Sequence, residues 1–159
     1  MLEKYLGKEW LHPDKKIKDR FLAAKPFPHL VLKDFLIDSF AREIEKAVRG
    51  ITLAKQESDL FRFAQSEDLH LSKNQILKDL YNLHNSREMK EWILHATGIK
   101  ADGQIDSSVF LYGPADYLLP HDDTLEKRKV AYTFHLSTLS PSKGGALEFF
   151  KGNDEATSI

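Results

Sequence analysis

Apolar residues recur at helical spacing through the first two-thirds of the chain, and the pattern then changes to the alternation of strands. Residues 14–24 have this helical spacing, so they predict a helix. Pro26 and Pro28 should end it, because proline lacks an amide hydrogen and restricts the residue before it. The apolar run 29–36 that follows predicts a short buried strand.

Three further helices are indicated by capping signals. We expect Asp38 to cap the first, Ser72 and Gln75 to form a capping box at the second, and Ser86 and Gly98 to bound the third. Side chains that share one face of these helices are expected in the core: Phe40, Ile44, Val48, Leu80, Leu83 and Trp92.

Strand patterns dominate after residue 100. Residues 108–112, 130–137 and 146–150 predict strands, with Gly, Pro, Asp and Ser between them. In the second of these, alternate apolar side chains would form one face, and small or polar ones, including His135, the other. Helices followed by a β layer predict an α+β fold, with the helices packed on one side of a sheet.

Composition narrows the possible classes of protein. A length of 159 residues predicts one domain, 1–159, in which residues 1–25 form a helical extension. A net charge of −1 gives no general reason to bind nucleic acid or an anionic membrane. Without cysteine there can be no disulfide, thiolate zinc site or cysteine nucleophile. The first residues lack a signal-peptide layout, so we expect a cytoplasmic protein.

The segment Tyr-Leu-Leu-Pro-His-Asp-Asp, residues 117–123, is the sharpest chemical feature. In extended backbone, residues i and i+2 point the same way, so His121 and Asp123 can present a nitrogen and a carboxylate oxygen to one point while Asp122 turns aside. That pair is two-thirds of the two-His-one-carboxylate site that holds non-haem Fe(II). A lone His-x-Asp is more often a surface turn with a hydrogen-bonded aspartate.

Three ordered blocks decide between these interpretations. Residues 58–69, residues 112–123 and residues 128–136, the last followed by a Gly-Gly turn at 144–145, resemble the Fe(II)/2-oxoglutarate oxygenases. The resemblance is to the prolyl-hydroxylase branch that modifies a ribosomal protein of the small subunit, and it covers roughly residues 27–150.

The resemblance implies a double-stranded β-helix (jelly-roll) with helices packed outside. It also implies Fe(II), the co-substrate 2-oxoglutarate and ascorbate, with His121 and Asp123 as metal ligands. Tyr112 matches a tyrosine that contacts 2-oxoglutarate, although it could be an ordinary half-buried strand residue. His135 could donate to the distal carboxylate of 2-oxoglutarate, or it could be an ordinary strand histidine. The implied partner is a protein substrate, a prolyl residue of a ribosomal protein, without direct binding to nucleic acid or membrane.

The remaining parts of the family's site do not match. The family's distal histidine ligand and its 2-oxoglutarate-binding arginine come from the last strands, yet after Asp123 the sequence offers His135 and Arg128 alone. We therefore expect this chain to lack part of the active site. The alternative function is a non-catalytic jelly-roll interaction module, or a fragment that needs a partner chain, since exposed strand edges favour oligomers.

The block 58–69 has two interpretations. It could be a strand and turn that close one end of the barrel, or a lip that helps to recognise a peptide substrate.

Overall fold

The computed structural model describes residues 1–122, 128–136, 145–151 and 155–158. Its four α-helices are α1 Lys15–Ala23, α2 Asp38–Val48, α3 Gln75–Asn85 and α4 Arg87–Thr97. Short 3-10 helices occupy Leu2–Lys4, Lys8–Trp10 and Leu69–Leu71. Within the described ranges, no helix is long and apolar enough to cross a membrane.

The ends of α1 and α4 follow the sequence signals. The Asp14 carboxylate accepts the amide of Ile17 at 3.1 Å and so caps α1, which ends before Pro26 as predicted. Ser86 Oγ accepts the amide of Met89 at 3.1 Å, and Gly98 ends α4 at a φ of 81°. Glycine suits that left-handed conformation because it has no Cβ to clash with the backbone.

The predicted caps of α2 and α3 are wrong. Asp38 is the first residue of α2 and pairs with Arg42 one turn later, while Ile37 occupies the cap position without a side-chain hydrogen bond. Asn74, rather than Ser72, caps α3 by accepting the amide of Ile76 at 2.9 Å. Asparagine caps as well as serine does, and Asn74 stands directly before the helix.

The core lies among the helices, where α1 packs on α4 and α2 packs on α3. The predicted burial is confirmed for five residues, and the sixth, Val48, is partly buried against the same cluster. The five are Phe40, Ile44, Leu80, Leu83 and Trp92. The N-terminal segment joins this core through Tyr5 and Leu6, so residues 1–25 contribute to it directly.

The run 29–36 does not form the predicted strand. Its chain turns at Asp34, where φ is 52°, and Leu36 makes a single bridge to Leu6. Gly7 accounts for the close approach, because a Cβ there would lie 2.6 Å from the Asp34 carbonyl oxygen. Leu36 is buried by this packing, Leu30, Leu32 and Phe35 are partly buried, and Val31 stays 45% exposed.

The main sheet is antiparallel and has β2 Phe61–Gln65 at its centre. On one side lies β1 Ala54–Glu57, and on the other lie β3 Phe110–Leu111 and β4 Tyr117–Leu118. A second, two-stranded sheet joins β5 Glu148–Lys151 to β6 Glu155–Ser158. Helices with antiparallel strands confirm the α+β class, and β1, β4 and β6 are additions to the sequence prediction.

Residues 128–136 show the predicted alternation only in part and are not a strand. Val130, Phe134 and Leu136 are partly buried, and Ala131, Thr133 and His135 are exposed, but Tyr132 on the apolar face is also 40% exposed. The apolar face packs against the helices through its side chains, and the range contains no ladder of backbone hydrogen bonds. Such a ladder defines a strand, so the alternation of side chains was not sufficient to predict one. Ser137 lies outside the described residues.

Candidate functional site

Two of the blocks that carry the family resemblance lie side by side. Residues 58–69 run antiparallel to residues 107–119, and pairing extends beyond the strands at both ends. At one end the amide of Leu119 donates to the Leu60 carbonyl oxygen at 2.9 Å. At the other, the amide of Val109 donates to Ser66 Oγ at 2.9 Å. The upstream block is therefore the backbone support of the proposed iron-binding segment.

A turn interrupts this pairing at residues 112–116, which stand opposite Phe63 of β2. The amide of Gly113 donates to Asp116 Oδ2 at 2.8 Å, and Arg62 Nε donates to Asp116 Oδ1 at 3.1 Å. Arg62 Nη2 also donates to the carbonyl oxygen of Ala115, which has a φ of 65°. One arginine thus holds a turn whose backbone includes a left-handed, non-glycine residue.

Tyr112 begins this turn and lies on an aromatic face of β2. Its ring centroid is 5.5 Å from that of Phe63, which stacks on Phe61 at 4.9 Å and meets Phe110 at 5.2 Å. Tyr112 is 45% exposed, and its partial burial raises the pKa of the phenol. The hydroxyl is therefore protonated at neutral pH and can donate a hydrogen bond to a carboxylate.

His121 follows β4 and is exposed at the surface. Its Nδ1 lies 3.0 Å from the carbonyl oxygen of Leu119, the residue whose amide is bound to Leu60. Because a carbonyl can only accept, Nδ1 is the donor in this contact, which orients the ring. Metal-binding histidines commonly have this arrangement, in which a backbone carbonyl orients the ring.

Asp123 lies outside the described residues, so its convergence with His121 on one point stays a prediction. Among the residues that are described, no group of three His, Asp or Glu side chains could hold a metal ion. The observed orientation of His121 fits a divalent-metal ligand, and an imidazole with a carboxylate suits Fe(II).

His135 and Arg128 lie on the 128–136 segment. His135 is exposed, and its Nε2 lies 3.4 Å from Thr133 Oγ1 on the face that points away from the helices. Arg128 pairs with Asp106 at 3.8 Å, with 41% of its side chain exposed. The role of His135 toward 2-oxoglutarate stays a prediction.

Sequence reasoning missed the contribution of Arg62 and Asp116. Arg62 is one of several polar residues in the block 58–69, and nothing in the sequence distinguishes it from the others. Asp116 follows a Gly-Pro pair in a turn, where aspartate commonly accepts hydrogen bonds from nearby amides. That turn chemistry could have assigned Asp116 to the turn. Its pairing with Arg62 was not accessible, because the two residues are separated by 54 positions.

Comparison with known proteins points to one family. Residues 107–158 match the model of the 2OG-Fe(II) oxygenase superfamily. Prolyl 3-hydroxylase OGFOD1 of Xenopus laevis is 33% identical over 84% of this chain and 26% of its own length. Prolyl 3,4-dihydroxylase OGFOD1 of Ostreococcus tauri is 30% identical over 70% of this chain and 24% of its own length.

A third relative is prolyl 3-hydroxylase sudestada1 of Drosophila melanogaster, which is 28% identical over 70% of this chain and 22% of its own length. The chain thus spans about a quarter of the length of these curated relatives. The family model covers the block 112–123, and the relatives belong to the prolyl hydroxylases that the resemblance named. The chain belongs to the 2OG-Fe(II) oxygenase superfamily, and the relatives to which it is similar are prolyl hydroxylases.

Proposed function

We propose that this protein is an Fe(II)- and 2-oxoglutarate-dependent dioxygenase that hydroxylates a prolyl residue of a protein substrate. The observation that carries the proposal is the orientation of His121, whose Nδ1 donates to the Leu119 carbonyl oxygen, as is common among metal-binding histidines. The family match over residues 107–158 and the names of the relatives support the reaction class.

In this proposal His121 and Asp123 are two of the protein ligands to the metal. When bound, Fe(II) would supply the activation of molecular oxygen, of which one atom would enter the C–H bond as a hydroxyl group and the other would enter succinate as 2-oxoglutarate loses CO2. Tyr112 would donate its protonated hydroxyl to a carboxylate of 2-oxoglutarate, and His135 is proposed as a second donor. Ascorbate would be an additional reductant, as is usual for this family.

The finer description of fold and partners is also proposed. The aromatic face of β2 continues onto the neighbouring strands, where Phe110 of β3 and Leu118 of β4 are about half exposed, at 47% and 44%. Burying large apolar side chains stabilises a protein, so such a face supports a jelly-roll in which a facing sheet covers it. We also propose that residues 1–159 form a single domain and that the protein is cytoplasmic. Its proposed substrate is a ribosomal protein.

Succinate release tests the reaction class. The protein expressed from its own gene is supplied with Fe(II), ascorbate, 2-oxoglutarate and a prolyl-containing peptide. We expect succinate and a peptide heavier by one oxygen atom, and we expect His121→Ala to abolish both. His95→Ala is the matched control, because His95 is an exposed histidine on α4. Turnover that survives His121→Ala would contradict the assignment.

A non-catalytic interaction module is the second candidate. The half-exposed apolar side chains of β3 and β4 favour it, because such surfaces often bind other proteins. The same assay separates the two functions. A protein that forms no succinate and binds no metal, yet associates through this face, would be a module.

A further inference from the structure

The 112–116 turn connects two groups that the proposed function uses together. Tyr112, the proposed contact to 2-oxoglutarate, is its first residue. His121, the proposed metal ligand, follows its last residue, Asp116, by five positions. The shape of the turn therefore contributes to the distance between the two groups, together with the pairing of the flanking residues with β2.

Few contacts determine that shape. Asp116 closes the turn internally, since its carboxylate accepts the Gly113 amide and its own amide donates to the Gly113 carbonyl oxygen at 3.1 Å. Arg62 then ties the closed turn to β2 through two acceptors, Asp116 Oδ1 and the Ala115 carbonyl. A planar guanidinium can bind two acceptors at fixed geometry, which an ammonium cannot do.

The environment makes this contact stronger than an ordinary surface ion pair. The side chains of Arg62 and Asp116 are 39% and 22% exposed, compared with 75% and 78% for the local pair Arg42–Asp38. Arg62 also lies over the ring of Tyr117, 6.0 Å from its centroid. Partial burial reduces screening by solvent, so the pair holds its geometry better than an exposed one.

The Ala115 backbone shows that the turn needs external support. A non-glycine residue in the left-handed region is strained, because its Cβ lies too close to the backbone. Arg62 binds the carbonyl of that same residue. The arginine therefore stabilises the conformation that would otherwise relax.

We propose that Arg62 is a positioning residue that, with Asp116, fixes the separation between Tyr112 and His121. This inference rests on the proposed function, because it gives those two residues their roles. Arg62 touches neither the metal nor 2-oxoglutarate in this scheme. It acts through the turn.

The test uses Arg62→Gln and Arg62→Lys, with Arg42→Gln as the matched control on α2. Affinity for Mn(II), measured from the electron paramagnetic resonance signal of free Mn(II), reports the metal site without turnover. Arg62→Gln should weaken it roughly tenfold, the lower end of losses seen when the support of a ligand is removed. It should also raise the KM for 2-oxoglutarate. Arg62→Lys should restore part of both losses, and Arg42→Gln should change neither.

Amide hydrogen exchange gives a readout that is independent of metal. In Arg62→Gln the Gly113 amide should exchange faster, while the Val109 amide, bound to Ser66 Oγ, should not change. Unchanged exchange at Gly113 would overturn the inference, because Arg62 would not hold the turn. Faster exchange with unaltered Mn(II) affinity and KM would also overturn it, because the turn would not set the site. A wild-type protein that binds no Mn(II) would instead contradict the proposed function and remove the positioning role with it.

Discussion

The helices and the segment 107–122 hold their shapes by different kinds of contact. α3 and α4 bury large side chains, for example Leu83 of α3 and Trp92 of α4, and their first turns are closed by caps within three residues. The 107–122 segment leaves its apolar side chains about half exposed. It is held by polar contacts to residues far away in sequence, for example Tyr117 Oη to the Ser58 carbonyl oxygen at 3.2 Å.

This difference separates stability from function in the molecule. The helical core provides a rigid support, and the proposed site lies on a segment that depends on β2 for its geometry. Substitutions in the core should therefore unfold the protein. Substitutions around the 112–116 turn should alter binding more than folding.

The largest effect is expected in the core. Leu83 is fully buried, at 0% exposure, so Leu83→Ala should lower the free energy of unfolding by about 2–5 kcal/mol through lost burial and a cavity. Leu118→Ala on β4, where the side chain is 44% exposed, should cost about 1 kcal/mol or less. Urea denaturation measures both. Equal losses would show that the two regions are equally well packed.

A buried histidine should make the helical core sensitive to acid. Among the described residues nothing hydrogen-bonds to Nε2 of His84, whose ring lies against Tyr132 at 4.8 Å and Phe134 at 5.2 Å. Burial lowers the pKa of His84 from 6.5 to about 4 in the folded protein. Between these values the unfolded chain binds a proton that the folded protein does not, so stability falls as the pH decreases from 6.5 to 4.

The full loss corresponds to about 3 kcal/mol, since one pKa unit is equivalent to about 1.4 kcal/mol. His84→Leu removes the titrating group and should reduce the difference in unfolding free energy between pH 7 and pH 4.5. His95→Leu, at an exposed position of α4, is the control. The explanation fails if His84→Leu keeps the full acid sensitivity of the wild type.

Asn74→Ala tests the corrected cap of α3. It removes the acceptor for the Ile76 and Leu77 amides, and loss of such a cap costs about 1 kcal/mol. Ser72→Ala should cost less, because Ser72 accepts the amide of Asn74 outside the helix. Thermal unfolding compares the two variants. A larger loss of stability for Ser72→Ala than for Asn74→Ala would support the capping box that the sequence predicted.

The same contrast explains what could be predicted from sequence. Helix periodicity and caps such as Ser86 and Gly98 are local, so α4 was predicted with both of its ends. The run 29–36 was misassigned because its outcome depends on the approach of Gly7 to Asp34, far apart in sequence. The geometry of the candidate site could not be predicted for the same reason, since the placement of the 112–116 turn depends on Arg62 in another strand.

The smallest effect is expected for a local surface pair. Arg42 Nε lies 2.9 Å from Asp38 Oδ2 across one turn of α2, and both side chains are mostly exposed. Such pairs contribute about 0.3–0.5 kcal/mol, because solvent screens the charges and ordering two side chains costs entropy. Arg42→Gln should therefore lower the free energy of unfolding by no more than this in dilute buffer, and by less in 1 M salt, where charges are screened within ~3 Å. A loss above about 1 kcal/mol that persists in high salt would show that this exposed pair stabilises the fold as the partly buried contacts do.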